Sequence, residues 1–174
     1  MARPKLTTLA SGKHLALRAR GGWEFADRVQ GSGVVVVAAV TKANELILTE
    51  QFRPPVNKSV IDLAAGLSGD LPEAPGESLQ KAAERELLEE AGYVSKDWTY
   101  TFTGPSSAGM SSEMLTFFVA RNCVRKASGG GDASEQIQVH VVPLEKIVTW
   151  LKRKTTKNRC IDPKVYVALG LLSR

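Results

Sequence analysis

The segment from Glu77 to Ala91 constrains this chain most, because it joins a helical apolar stripe to a charge pattern that an isolated helix would avoid. Leu79, Ala83, Leu87 and Ala91 recur every fourth residue, and Gly92 stands where a helix end favours a residue able to take positive φ. Glu84, Glu86, Glu89 and Glu90 place four carboxylates within seven residues. At about 100° per residue, Glu86 and Glu90 stand one above the other with Glu89 close by, at the border of the buried stripe. Like charges at i and i+4 cost a helix roughly a few tenths of a kcal/mol, and a solvated helix tuned for stability would alternate them with Lys or Arg. A divalent cation removes the conflict. Few, hard oxygen ligands on one face, with water completing the shell, is how magnesium is held.

The rest of the chain is strand-rich around this helix. Lys13 to Arg20 and Trp23 to Val29 read as short strands about the Gly21-Gly22 turn, and Val34 to Val40 is a β-branched run typical of a buried strand. Asn44 to Phe52 and Val60 to Ala65 continue the series, followed by a loop from Gly66 to Gly76 holding two prolines and three glycines. Further strands are expected at Trp98 to Thr103, Glu113 to Ala120 and Gln136 to Val142, and closing helices at Leu144 to Lys154 and Asp162 to Leu172. Strands before and between helices without regular βαβ alternation predict an α/β fold, a mixed sheet sandwiched by helices. No internal repeat is visible, and 174 residues suit one domain.

Charge and cysteine content remove other classes. The longest apolar stretch, Val34 to Val40, is too short to span a bilayer, and Met1 to Lys13 has no secretory apolar region, so a soluble cytoplasmic protein without membrane partner is expected. Cys123 and Cys160 have no zinc-ligand spacing and are expected to be reduced structural thiols. The net charge of +5 fits nucleic acid or an anionic small molecule equally well. The basic run Lys152 to Lys154 and Lys157 to Arg159 lacks interleaved aromatics and reads as the solvated end of a helix, so no nucleic-acid partner is expected. His140, in an apolar strand, reads as packed.

Glu77, seven residues, then Arg85-Glu86-Leu87-x-Glu89-Glu90-x-Gly92-Tyr93 resembles the Nudix box through its helical half. The family pattern opens with a glycine six residues before its first glutamate, where this chain has Leu71. Matching Gly66 to that glycine, with extra residues within Ser68 to Pro75, repairs the pattern, since loops tolerate insertion at small entropic cost. Gln51-Phe52-Arg53-Pro54-Pro55 and Ile61-Asp62-Leu63-Ala64-Ala65-Gly66 resemble the ADP-ribose and ADP-sugar pyrophosphatases of that family, with Asp62 and Ala64 where glutamate and proline are usual. The likeness runs from about Trp23 to the C-terminus.

The resemblance implies a Nudix α/β/α sandwich with a short N-terminal β region, residues 1–30, available for dimerisation, and metal-dependent hydrolysis of a nucleotide-sugar pyrophosphate. ADP-ribose, cut to AMP and ribose 5-phosphate, is the leading substrate. By resemblance, magnesium, or manganese in its place, is held by Glu86, Glu89, Glu90 and the Ala65 carbonyl. Arg53 holds substrate phosphate, its planar fork suiting a bidentate contact. Arg85 keeps the glutamates in their rotamers. Glu113 contacts the sugar, following a Gly104 to Ser112 stretch similar to the family's sugar-end loop. Glu135, after the glycines Gly129 to Gly131, is the candidate base in a loop those glycines would make mobile. Trp23 matches a Trp-Glu pair that stacks on adenine across a dimer interface; a half-buried strand tryptophan is the alternative. Another nucleotide sugar, a dinucleoside polyphosphate, a capped RNA end, or a module that senses ADP-ribose without cutting it remain open alternatives.

Overall fold

The structure, a computed structural model, describes residues 4–30, 33–69, 76–131 and 136–173. Three N-terminal strands, β1 (Leu6–Ser11), β2 (Leu15–Arg20) and β3 (Trp23–Arg28), form an antiparallel sheet of their own. A nine-stranded mixed sheet follows, built from β4 (Gly33–Thr41), β5 (Glu45–Arg53), β6 (Lys58–Asp62), β7 (Ala64–Ser68), β8 (Tyr93–Val94), β9 (Asp97–Pro105), β10 (Met114–Arg125), β11 (Gln138–Pro143) and β12 (Arg159–Ile161). The helices are α1 (Leu79–Glu86), α2 (Ile147–Lys154) and α3 (Pro163–Leu172).

Strand β4 explains the layering. Its residues from Val34 to Val40 are buried on both faces, so the run alternates between two cores. Val35, Val37 and Ala39 pack with Ala82, Ala83, Leu87 and Ala91 of the acidic helix. Val34, Val36, Ala38 and Val40 pack with Ile147, Leu151, Val165 and Ala168 of α2 and α3. The result is the expected α/β/α sandwich.

The sheet is split, and the split makes room for a site. β5 pairs with β4 only at Ala39–Ile47 and Val40–Leu46. Beyond that point β5 carries β6 from Thr49–Asp62 to Arg53–Lys58, while β4 carries β7 from Val37–Ala64 to Gly33–Ser68. One kinked stretch thus changes partner at Leu63, the apex of the split. The sequence reading had a single strand from Val60 to Ala65; the chain makes two, because an apolar run does not reveal a change of neighbour.

Other departures are local. α1 is regular only to Glu86, and Leu87–Ala91 form a π-helical turn ending at Gly92 with φ 77°. β1 was not expected, and its residues are exposed throughout, leaving no alternation to detect. β8 and β12 are two and three residues long, too short for a periodic signal. The 144–146 segment is a 3₁₀ turn ahead of α2. No helix among the described residues is long and apolar enough to cross a membrane.

Candidate active site

A cleft of about 900 Å³ opens where the sheet splits. One wall comes from β7 and the acidic helix, with Ala65, Gly66, Arg85, Glu86, Glu89 and Glu90; the other comes from Arg53, Val60, Asp62, Cys160 and Lys164. Arg28 and Glu113 also line it. The cleft therefore gathers Arg53, Ala65, Arg85, Glu86, Glu89, Glu90 and Glu113, seven residues singled out in the sequence, from four separate segments.

Arg85 organises the acids. Its Nη1 donates to Glu86 Oε1 at 2.7 Å and Glu89 Oε2 at 3.1 Å, and its Nη2 donates to Glu77 Oε2 at 3.3 Å and the Leu67 carbonyl at 3.1 Å. The planar fork reaches all of these at once, which a lysine point charge could not do. Burial works against its charge, but the hydrogen bonds it donates to Glu77 and the neighbouring carboxylates outweigh it and hold the guanidinium above the ordinary arginine range. Glu86 and Glu90 are buried at 9% and 6% exposure, whereas the Glu89 side chain is 54% exposed. Glu90 Oε2 accepts the Ala65 backbone N–H at 3.1 Å.

That bond fixes the direction of Ala65. In an antiparallel strand, the N–H and C=O of one residue point to the same side. Ala65 turns its N–H to Glu90 and away from its β4 partner Val36, so its carbonyl faces the same way. Gly66 lies against Glu86 so closely that a Cβ there would sit 2.1 Å from the Glu86 Cδ. This close approach is the physical reason for a glycine at the position matched to the family motif.

The donor set suits a hard cation. Glu77, Glu86 and Glu89 surround the Arg85 guanidinium and Glu90 lines the same cleft, leaving a surplus of negative charge in a partly buried place, and the carboxylates and a backbone carbonyl are all oxygen donors. Among the described residues no three metal-ligating side chains converge on one point, as Arg85 draws Glu86 and Glu89 while Glu90 turns to Ala65.

The other predicted residues sit as follows. Arg53 ends β5, exposed and facing the cleft, with no ion pair among the described residues. Glu113 forms an ion pair with Arg28 of β3, Nη2 to Oε1 2.6 Å. Trp23 does not line the cleft; it is 64% exposed, so the half-buried alternative is set aside, and its indole Nε1 donates to the Gly109 carbonyl at 3.1 Å. Glu135 lies outside the described residues. The glycines before it meet the acidic helix: the Gly130 and Gly131 N–H groups donate to the Glu90 and Glu89 carbonyls at 2.9 and 3.1 Å. A Cβ on Gly129 would meet the Ala91 carbonyl carbon at 2.5 Å. Gly129 thus serves close packing against the helix end, and Gly130 and Gly131 take positive φ of 117° and 80°. His140 is packed as expected, edge-on to Trp150, and is also bonded to Glu50 at 2.8 Å.

Arg28, Asp162, Lys164 and Cys160 were not foreseen as cleft residues. Arg28 arrives from the N-terminal sheet, whose β3 is docked by Ala26 N–H to the Met110 carbonyl at 2.8 Å and Ser112 N–H to the Ala26 carbonyl at 3.1 Å. Lys164 bridges Asp62 and Asp162 at 2.9 and 2.8 Å. Burial works against its ammonium charge, but Asp62 and Asp162 hold it above the usual lysine range. Only the long-range partners of these residues reveal them.

A sequence profile of the NUDIX domain matches residues 30–165, most of the chain. The chain belongs to the Nudix family. It is 29% identical over 145 residues to the methanol dehydrogenase activator of Bacillus methanolicus, covering 83% of this chain and 74% of that protein. It is 32% identical over 118 residues to the ADP-ribose pyrophosphatase of Bacillus subtilis (strain 168), covering 67% and 61%. The ADP-ribose pyrophosphatase of Escherichia coli (strain K12) is 28% identical over 137 residues, covering 74% of this chain and 63% of that protein. The chain thus spans less than two thirds of either pyrophosphatase. A crystal structure of an ADP compounds hydrolase superposes with a TM-score of 0.71 at 18% identity, over 99% of this chain and 91% of that one, and supports the Nudix α/β fold.

Proposed function

We propose that this Nudix protein hydrolyses the pyrophosphate bond of a nucleoside diphosphate linked to a sugar, with ADP-ribose as leading substrate and AMP and ribose 5-phosphate as products. The observation that carries the proposal is the pair of buried carboxylates, Glu86 and Glu90, locked to Arg85 and Ala65 beside a 900 Å³ cleft that also holds Arg53. The pyrophosphatase relatives favour ADP-ribose.

Glu86, Glu89, Glu90 and the Ala65 carbonyl would hold the divalent cation, magnesium or manganese. When bound, such a cation lowers the pKa of water and neutralises phosphate charge. The chain's own groups do the rest. Arg53, unpaired among the described residues, binds a phosphate of the substrate through its fork. Arg85 keeps the carboxylates oriented without touching substrate. Glu135 accepts the proton of the attacking water; its flanks support this, since Gly131 rests on the Glu89 carbonyl and Ile137 N–H donates to the Gly130 carbonyl. Glu113 reads sugar hydroxyls while its other partner, Arg28, holds it in place. Trp23 offers an exposed indole for an adenine, and the apolar β1–β3 surface, with Leu9 and Leu15 about half exposed, suits a homodimer. A cytoplasmic setting fits such a substrate.

The test is phosphate-bond hydrolysis of ADP-ribose, ADP-glucose, GDP-mannose, UDP-glucose, a diadenosine polyphosphate and capped RNA, each with and without magnesium. Cation-dependent cleavage led by ADP-ribose is expected; a different leader would move the substrate and keep the chemistry. The likeness to a methanol dehydrogenase activator favours a second reading, in which the site serves a partner dehydrogenase. A dehydrogenase rate that rises on addition of wild type but not of Glu90→Gln would support it.

A further inference from the structure

We infer that Lys164 is a positioning residue for the cation end of the cleft, clamping the apex of the split strand from which Ala65 is presented to Glu90. The inference rests on the proposed role of Glu86, Glu90 and Ala65 as cation holders. Leu63 sits at the apex, 1% exposed, between the last rung of β6 and the first rung of β7. A backbone N–H buried where the strand changes partner needs another acceptor. Asp62 Oδ1 provides it at 2.8 Å. Asp62 is itself 7% exposed and needs a counter-charge, which Lys164 Nζ supplies to Oδ2 at 2.9 Å.

Lys164 cannot drift from this place. Asp162 caps α3 by accepting the Lys164 N–H at 2.9 Å and holds its Nζ at 2.8 Å, while the Asp162 N–H donates to the Ile61 carbonyl at 2.8 Å. The start of α3, the end of β6 and the apex therefore form one closed clamp. Ala65 follows two residues after the apex, so the placing of Leu63 sets how the first residues of β7 enter the sheet and how the Ala65 amide meets Glu90. Neither aspartate leaves the ammonium to act as a phosphate anchor, which separates its role from that of Arg53.

The test is Mn2+ titrated into the whole protein by calorimetry, beside steady-state hydrolysis of ADP-ribose. Lys164→Met is expected to weaken Mn2+ binding about tenfold or more and to lower kcat, with KM moving less than about threefold. Lys164→Arg should restore most of the loss. Arg159→Met, which frees β12 from Glu50 and leaves the apex alone, should bind Mn2+ like wild type. If Lys164→Met does not fold, the double variant Asp62→Leu with Lys164→Leu fills the site with apolar volume yet removes the Leu63 acceptor, and should still bind Mn2+ weakly. Mn2+ affinity of the folded variant within about threefold of wild type, or an equal loss in Arg159→Met, would overturn the inference. Wild type failing to bind Mn2+ would overturn the cation reading and this inference with it.

Discussion

Replacing Gly66 by alanine puts a methyl carbon 2.1 Å from the Glu86 Cδ and 2.2 and 2.4 Å from its two oxygens. Ordinary contact begins at 3.4 Å, so one partner must retreat by about 1.3 Å. The backbone of β7 is pinned to β4 at Gly66 itself, opposite Val35, and at Ala64, opposite Val37, since hydrogen-bonded pairs alternate with the outward-turned Ala65. Glu86 is the flexible partner and will swing. Its bond to Arg85 Nη1, 2.7 Å now, would stretch beyond hydrogen-bonding range. A charge-assisted bond of this kind contributes about 1.5–3 kcal/mol, which bounds the loss of folding stability. Activity should suffer more: displacement of a reacting constellation by about 1 Å costs on the order of 100-fold, or about 2.7 kcal/mol of barrier. Gly66→Ala should therefore melt cooperatively, within several degrees of wild type, and show a roughly 100-fold lower kcat for ADP-ribose with KM little changed. Wild-type kcat in a folded Gly66→Ala protein would refute the claim that Glu86 must occupy this position.

Glu90→Gln keeps the shape and an acceptor for the Ala65 N–H but removes the charge, so turnover should fall by about two orders of magnitude or more while ADP-ribose binding is partly retained in calorimetry. Trp23→Ala should raise KM for adenine-bearing substrates relative to guanine or uracil ones; equal KM across bases would return Trp23 to a role in docking the N-terminal sheet onto Gly109. Burial opposes the charge of Glu50, but His140 and Arg159 outweigh it and hold its carboxyl below the ordinary glutamate value of 4.5. Its contribution is thus complete above that value and lost as pH falls through the folded pKa. Urea denaturation from neutral pH down to about pH 3 should show an acid loss of stability that is smaller in Glu50→Gln.

The acidic helix was legible because its signal is local: four-residue apolar spacing, a terminal glycine and clustered glutamates all fall within sixteen residues, Glu77 to Gly92. The sandwich was legible from strands set before and between helices without βαβ alternation, and Val34 to Val40, read as a buried strand, is buried throughout. What stayed hidden depends on partners distant in the chain. Nothing near Leu63 announces a strand that trades β5 for β4, and nothing near Lys164 announces a bridge to Asp62 a hundred residues away. Arg28 was passed over because its meaning comes from Glu113. Trp23 was left between stacking and core, since a tryptophan in a strand pattern fits either until its exposure is known. Gly66 was matched to the family motif by sequence alone, but the Glu86 carboxylate filling the space of its missing side chain gives the physical cause.

Under the proposed function, Glu86 and Glu90 make this cleft a cation-dependent pyrophosphohydrolase site. The most direct measurement is product analysis of ADP-ribose incubated with chelator-treated protein, with and without added magnesium, for wild type and Glu90→Gln. AMP and ribose 5-phosphate in equal amounts, formed rapidly only by wild type with magnesium, is the predicted result. Cleavage that ignores the cation, or tight ADP-ribose binding with no cleavage under any condition, would contradict it, the second outcome marking the protein as a sensor of the nucleotide.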